Sequence, residues 1–137
     1  DSLGEFCALG ESLMFASELL QNDKAAILGH AVDAATQLIL TQDKSPRRGV
    51  GETDTRDSHF YFALYWAQAV AAQTDDAELA SIFAAIVAEI EAQESQIVAE
   101  LASTQGQPCD LGGYYRPNAD LVARFMRPSD IFNRIIG

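Results

Sequence analysis

Apolar residues recur three and four places apart along most of the chain, the spacing of one face of a helix. Leu3, Phe6, Leu13 and Leu20 follow it first. Ser2, with Glu5 three places later, makes a capping-box pattern, so a helix is expected from the second residue. Asn22 and Asp23 interrupt it. A second helix is expected over about Lys24–Leu40, with Ile27, Leu28, Val32, Leu38 and Ile39 inward and Ala31, Ala34 and Ala35 allowing close packing. A polar stretch, 41–58, comes next. The third helix, about Ser58–Gln73, is apolar nearly all round through Phe60, Phe62, Leu64, Tyr65, Trp66 and Val70, so it is expected to be central and buried.

Asp75 and Asp76 can cap a fourth helix carrying Leu79, Ile82, Phe83, Ile86, Val87 and Ile90. The stripe lapses at Gln93 and Glu94 and resumes at Ile97, Val98 and Leu101. That pattern fits one long helix or two with a bend. QPCDLGGYYRPN is irregular and rich in turn residues. A fifth helix is expected over about Asn118–Arg127, stopped by Pro128. A short sixth, capped by Ser129 or Asp130, contains Ile131, Phe132 and Ile135. No alternating strand pattern, internal repeat or low-complexity run appears. The fold class read from the pattern is all-α: a single helical domain or segment of five to six helices with a long polar loop.

Composition agrees with a packed domain: 137 residues, 48% of them apolar. Charge changes the picture more. The net charge is −11, and residues 57–115 hold nine Asp and Glu but no Lys or Arg. The bases lie almost wholly in 44–56 and 116–134. Such a body repels phosphate, so no nucleic-acid partner is expected, although a focused basic patch can still hold a small anion. No run of about 18 apolar residues exists, and no membrane partner is expected. Cys7 and Cys109 make neither a disulfide framework nor a CxxC pair, and a cytoplasmic location is the simplest reading. The abrupt start at Asp1 suggests either a piece of a longer chain or a processed or cloned terminus.

Candidate chemistry centres on KSPRRGVGETDTRDSHF, residues 44–60, where Arg47, Arg48 and Arg56 gather. A guanidinium offers paired donors that fit a phosphate and keeps its charge at any working pH. Pro46 stiffens the approach, and Gly49 and Gly51 let backbone come close to a ligand. The competing reading pairs these arginines with Glu52, Asp54 and Asp57, since the loop carries four bases and four acids. His59 and His30 have no partner at metal-ligand spacing and are read as buried or capping. Tyr114, Tyr115 and Arg116 could contact a ligand; a loop folded back and packed is the favoured reading. Glu89, Glu91, Glu94 and Glu100 read as a solvated face. A di-metal bundle would need Glu-x-x-His pairs, and none occurs. No GxSxG, P-loop or GxGxxG is present.

Several segments together resemble a known family. DSLGEF, DAAT, KSPRR followed by VGE, RDSHFYFALYWAQAVAAQ, DAELA, IVAEL, QG-P, GGYYRPNAD and MRPS are similar, in order, to the C-terminal part of the monomeric-type NADP-dependent isocitrate dehydrogenases. The resemblance covers nearly the whole chain. It implies a segment of the larger domain of a two-domain enzyme, one that oxidatively decarboxylates isocitrate to 2-oxoglutarate with NADP and Mg²⁺ or Mn²⁺. The substrate and metal ligands would lie in earlier parts of the chain.

By the same resemblance, Asp1 matches an acid that contacts the cofactor, and Arg48 an arginine that grips the 2′-phosphate of NADP. The family usually reads SPSRRVGE; here it is SPRRGVGE. Gly49 therefore takes the second basic position, and that base is lost or replaced by Arg47 from the other side. Asp57 stands where the family has Gly and adds negative charge nearby. The isolated segment is expected to be inactive. Its expected partner is the rest of the dehydrogenase chain or a self-associating copy. The alternative reading is a free-standing, non-enzymatic binding or interaction module descended from that region.

Overall fold

A computed structural model describes residues 2–137, with Ser2 as backbone only. Asp1 and the expected Ser2–Glu5 capping box therefore lie outside the described residues. The fold is all-α. Six helices follow one another: α1 (Ser2–Leu20), α2 (Asp23–Thr41), α3 (Thr55–Ala72), α4 (Ala77–Ala102), α5 (Ala119–Met126) and α6 (Asp130–Ile136). No strand occurs among the described residues.

Each helix from α2 to α6 starts where a side chain can take up free amide hydrogens. Asn22, Asp54, Asp76, Asn118 and Ser129 are the N-caps of α2 to α6. The third helix begins three residues before the expected Ser58. Asp54 accepts from the Arg56 and Asp57 amides, and Asp57 accepts from the Asp54 amide, a reciprocal capping box. The fourth helix is continuous. Its polar lapse is a contact point: Glu94 accepts from the Tyr61 hydroxyl of α3 at 3.1 Å.

α1 packs on α2, α2 on α3 and α3 on α4, so the long helices form a row. Gly10 and Gly29 set the α1–α2 approach. A Cβ on Gly29 would lie 2.9 Å from the Met14 sulfur and 3.3 Å from the Gly10 carbonyl oxygen. Ala31 and Ala35 are buried as expected; Ala34 is exposed. On one side of α3 the core holds Phe6, Val32, Ala35, Ile39 and Phe62, with Phe6 stacked on Phe62. On the other it holds Phe60, Leu64, Ile90, Ile97 and Leu101, closed by Phe132 of α6. α3 is thus the central helix. Burying one such side chain stabilises by roughly 1.5–3 kcal/mol.

Four residues fail their expectations. Leu20 and Ile82 are exposed, on faces of the outer helices α1 and α4 that no other helix covers. Neither histidine is buried or capping. His30 is exposed, and exposed His59 has Nδ1 2.7 Å from the Thr55 carbonyl, within α3 itself. The glutamate face is mixed: Glu89 and Glu91 are exposed, whereas Glu94 and Glu100 are half-buried and accept from Tyr61 and Ser129. No helix is long and apolar enough to cross a membrane among the described residues.

Candidate functional site

The arginine loop is a built structure. It starts with a Schellman closure of α2. Asp43 takes the left-handed conformation (φ +53°), the Lys44 amide donates to the Ile39 carbonyl at 2.9 Å, and the Asp43 amide to Leu40 at 3.4 Å. The Arg47 amide then donates to the Thr53 carbonyl at 2.7 Å, tying the loop's two limbs together. At the tip the Glu52 amide donates to the Gly49 carbonyl at 3.1 Å, and Gly51 has φ +84°. That is a turn whose third residue needs positive φ, which glycine supplies without strain. Glu52 folds its carboxylate back to accept from the Gly49 amide at 2.8 Å.

The three arginines have three different fates. Arg56 is clasped: its guanidinium donates to Asp54, to the Thr104 hydroxyl and, at 2.7 Å, to the Phe125 carbonyl. Arg47 pairs with Asp43 at 2.5 Å, four residues back, rather than with the expected Glu52, Asp54 or Asp57. Arg48 is exposed and makes no ion pair or side-chain hydrogen bond among the described residues. The expected pairing of all three with Glu52, Asp54 and Asp57 therefore holds for Arg56 alone, with Asp54. Arg48 stands beside the turn with its donors open to solvent.

Electrostatics separates the neighbouring carboxylates. Burial pushes Asp54 upward, but hydrogen bonds from Arg56 and the Asp57 amide outweigh it, and its pKa falls below the ordinary value. Burial and the adjacent Asp54 charge raise Asp57. One Asp57 oxygen is buried without a hydrogen-bond partner. Nearby, Lys44 lies over the Tyr61 ring at 3.9 Å, a cation–π contact. Burial and the bond to Glu94 push the Tyr61 hydroxyl up to about 12.

The GGYYRP segment differs from the packed loop expected. The Asn118 amide closes it onto the Leu111 carbonyl at 2.7 Å, but Tyr114 and Tyr115 project, 90% and 92% exposed. Gly112 and Gly113 both have positive φ, and the tip turns outward there. Sequence reasoning missed Thr104 and Gln105. Both sit past the end of α4 and grip the arginine loop; the only local signal was Gly106, whose φ of +67° marks a turn. No three His, Cys, Asp or Glu side chains gather as a metal group among the described residues. Cys7 and Cys109 are free and exposed.

A sequence profile of the monomeric isocitrate dehydrogenase family matches residues 1–137. The chain belongs to that family. It is 53% identical over 133 residues to the NADP isocitrate dehydrogenase of Azotobacter vinelandii, covering 97% of this chain. It is 50% identical over 136 residues to NADP isocitrate dehydrogenase 2 of Colwellia maris, and 49% over 133 to that of Mycobacterium tuberculosis. It spans about 18% of the length of each of these relatives. The SPRRGVGE loop, the α3 aromatics and the GGYYRP turn all lie within the matched residues.

Proposed function

We propose that this chain is the C-terminal part of an NADP-dependent isocitrate dehydrogenase and forms one edge of its cofactor site. The observation that carries the reading is the exposed guanidinium of Arg48, which has no ion pair or side-chain hydrogen bond among the described residues. It stands on a hydrogen-bonded loop, next to a turn whose glycine lets backbone come close to a ligand. It fits the terminal phosphate on the adenosine ribose of NADP and has nothing comparable to grip in NAD. Arg47 stands beside it, but its charge is offset by Asp43 at 2.5 Å, so Arg48 carries the clamp. Asp1, the other cofactor residue implied by the resemblance, lies outside the described residues.

NADP supplies the hydride acceptor when bound. What this chain contributes is recognition: Arg48 holds the phosphate, and the tied loop limits its wandering. Glu52, on the Gly49 amide, sets a negative charge close by and weakens the pull on any anion. The divalent metal implied for the full enzyme has no ligand group among this segment's described residues, and no chemical step is placed on them.

The partner implied by this reading is the rest of the dehydrogenase polypeptide. Exposed Phe15, Leu19 and Leu20 on α1 support it, as does an apolar groove of about 470 Å³ beside α3, lined by Phe62, Trp66, Met126 and Ile136. The test is Arg48→Ala. Losing a charge-assisted hydrogen bond should weaken NADP binding by roughly ten- to a hundredfold and leave NAD binding as it was. High salt should shrink the parent's preference in the same direction. An Arg48→Ala variant with undiminished NADP preference would overturn the clamp.

A further inference from the structure

The residues that hold the arginine loop in shape lie outside it, on the turn that ends α4. Thr104, Gln105 and Gly106 each engage a different part of the loop. The Gln105 amide group works in both directions: its oxygen accepts from the Gly51 amide at 2.8 Å, and its nitrogen donates to the Glu52 carbonyl at 3.0 Å and to Asp54 at 3.2 Å. Thr104 accepts from Arg56, which is itself bound to Asp54. Gly106 lies under the side chain of Val50. A Cβ there would come within 3.3 and 3.4 Å of the two Val50 methyls, and the backbone has φ +67°, so the position suits a residue without a side chain.

A loop tied only at Arg47 and Thr53 could still tilt as a whole. Three further anchors, at Val50, Gly51 and Glu52, fix the turn itself. Val50 is 75% exposed, so its contact with Gly106 adds little apolar burial; it sets position. The Gly51 amide and the Glu52 carbonyl are satisfied by a side chain 54 and 53 residues away, while the Glu52 amide closes the turn on Gly49. Phosphate recognition depends on such outer support, because a misplacement of about 1 Å costs a large factor in a directed interaction.

We infer that Gln105, with Gly106 beneath Val50, is a positioning residue for Arg48, and so a determinant of NADP over NAD selectivity. This rests on the reading of Arg48 as the phosphate clamp. Gln105 touches no ligand in this account; it acts by holding the Val50–Glu52 turn where Arg48 meets the phosphate.

The experiment compares Arg48→Ala, Gln105→Ala and the double variant in the full-length polypeptide carrying this segment, titrating NADP and NAD separately. Gln105→Ala should cut the NADP-to-NAD affinity ratio by roughly tenfold with NAD affinity unchanged. The double variant should be no worse than Arg48→Ala alone, because the two act through one contact. A purely structural role would lower thermal stability and leave the ratio where it was. Val50→Ala is a second probe at an exposed position; it should reduce the ratio in the same direction by a smaller factor, and it serves if Gln105→Ala fails to fold. If Arg48→Ala lowers the ratio and neither Gln105→Ala nor Val50→Ala does, the positioning role is wrong and the clamp stands. If Arg48→Ala leaves the ratio intact, both fall.

Discussion

The four-helix row and the polar strip that crosses it are held by different forces. The row, α1 to α4, is joined by apolar side chains on both sides of α3. The strip consists of the 42–54 loop and the turn after α4, and no buried apolar cluster includes either. It is held by Arg56, Gln105, Asp54 and backbone hydrogen bonds. Apolar packing is non-directional and tolerates some repacking, whereas hydrogen bonds fix a few atoms in place. The lesson is a division of labour. The row supplies stability, and the strip supplies geometry, where the candidate cofactor group stands.

The sharpest way to break that contrast is a core truncation. Phe60 is 1% exposed and meets Phe132 edge to face at 5.1 Å. Phe60→Ala should cost about 3–5 kcal/mol in chemical denaturation. A cost below that of the strip variants would mean the row is not the source of stability.

Arg56→Ala comes next. It leaves Asp54 without its counter-charge and the Phe125 carbonyl without its donor, and should cost about 1–3 kcal/mol. Hydrogen exchange should rise first in α5 and the 103–118 segment, not in α3. Uniform acceleration across all helices would show that the strip and the row are one cooperative unit.

How much of this division was legible in the sequence follows from the same forces. Helical periodicity exposed the row, because burial of one face leaves a repeating signal. Phe60, Ile90, Ile97 and Val70 were read inward and are. The misses were at the edges. Leu20 and Ile82 keep the period yet face out, since periodicity does not tell which face a neighbouring helix covers. The first turn of α3 was hidden because Asp54 and Asp57 form a capping box within a charged stretch that resembles a loop. Arg48 could be singled out by resemblance, but its lack of an acid partner among the described residues could not. That depends on Arg47 turning back to Asp43 and Arg56 reaching Thr104 and Phe125, contacts set by the fold. Gln105 was invisible for the same reason: its partners are more than fifty residues away.

Arg48→Ala sharpens the comparison from the other side. Folding stability should change by no more than about 0.5 kcal/mol, as for an exposed residue with no partner among the described residues. A thermal melt alongside the binding assay checks it, and a large loss of stability would show Arg48 to be a strut.

The smallest effect is expected at Asp57. Its carboxyl is raised by burial and by Asp54, so ionising it opposes folding. The stability of the protonated form is fully present below the ordinary value of 3.8 and is lost as pH rises through the raised native value. Asp57→Asn keeps an acceptor for the Asp54 amide and should melt slightly higher than the parent at pH 7. The gap should close in strongly acid solution. Asp54 has the opposite sign: its stabilisation is present above its ordinary value and is lost as pH falls through the lowered one. A lower melt for Asp57→Asn at neutral pH would contradict the burial argument.

The central claim is that Arg48 confers preference for the phosphorylated dinucleotide. The most direct measurement is a calorimetric titration of the full-length polypeptide with NADP and then NAD at low salt. The account predicts clearly tighter NADP binding, with the difference shrinking as salt is added. Equal affinity for the two cofactors would contradict it.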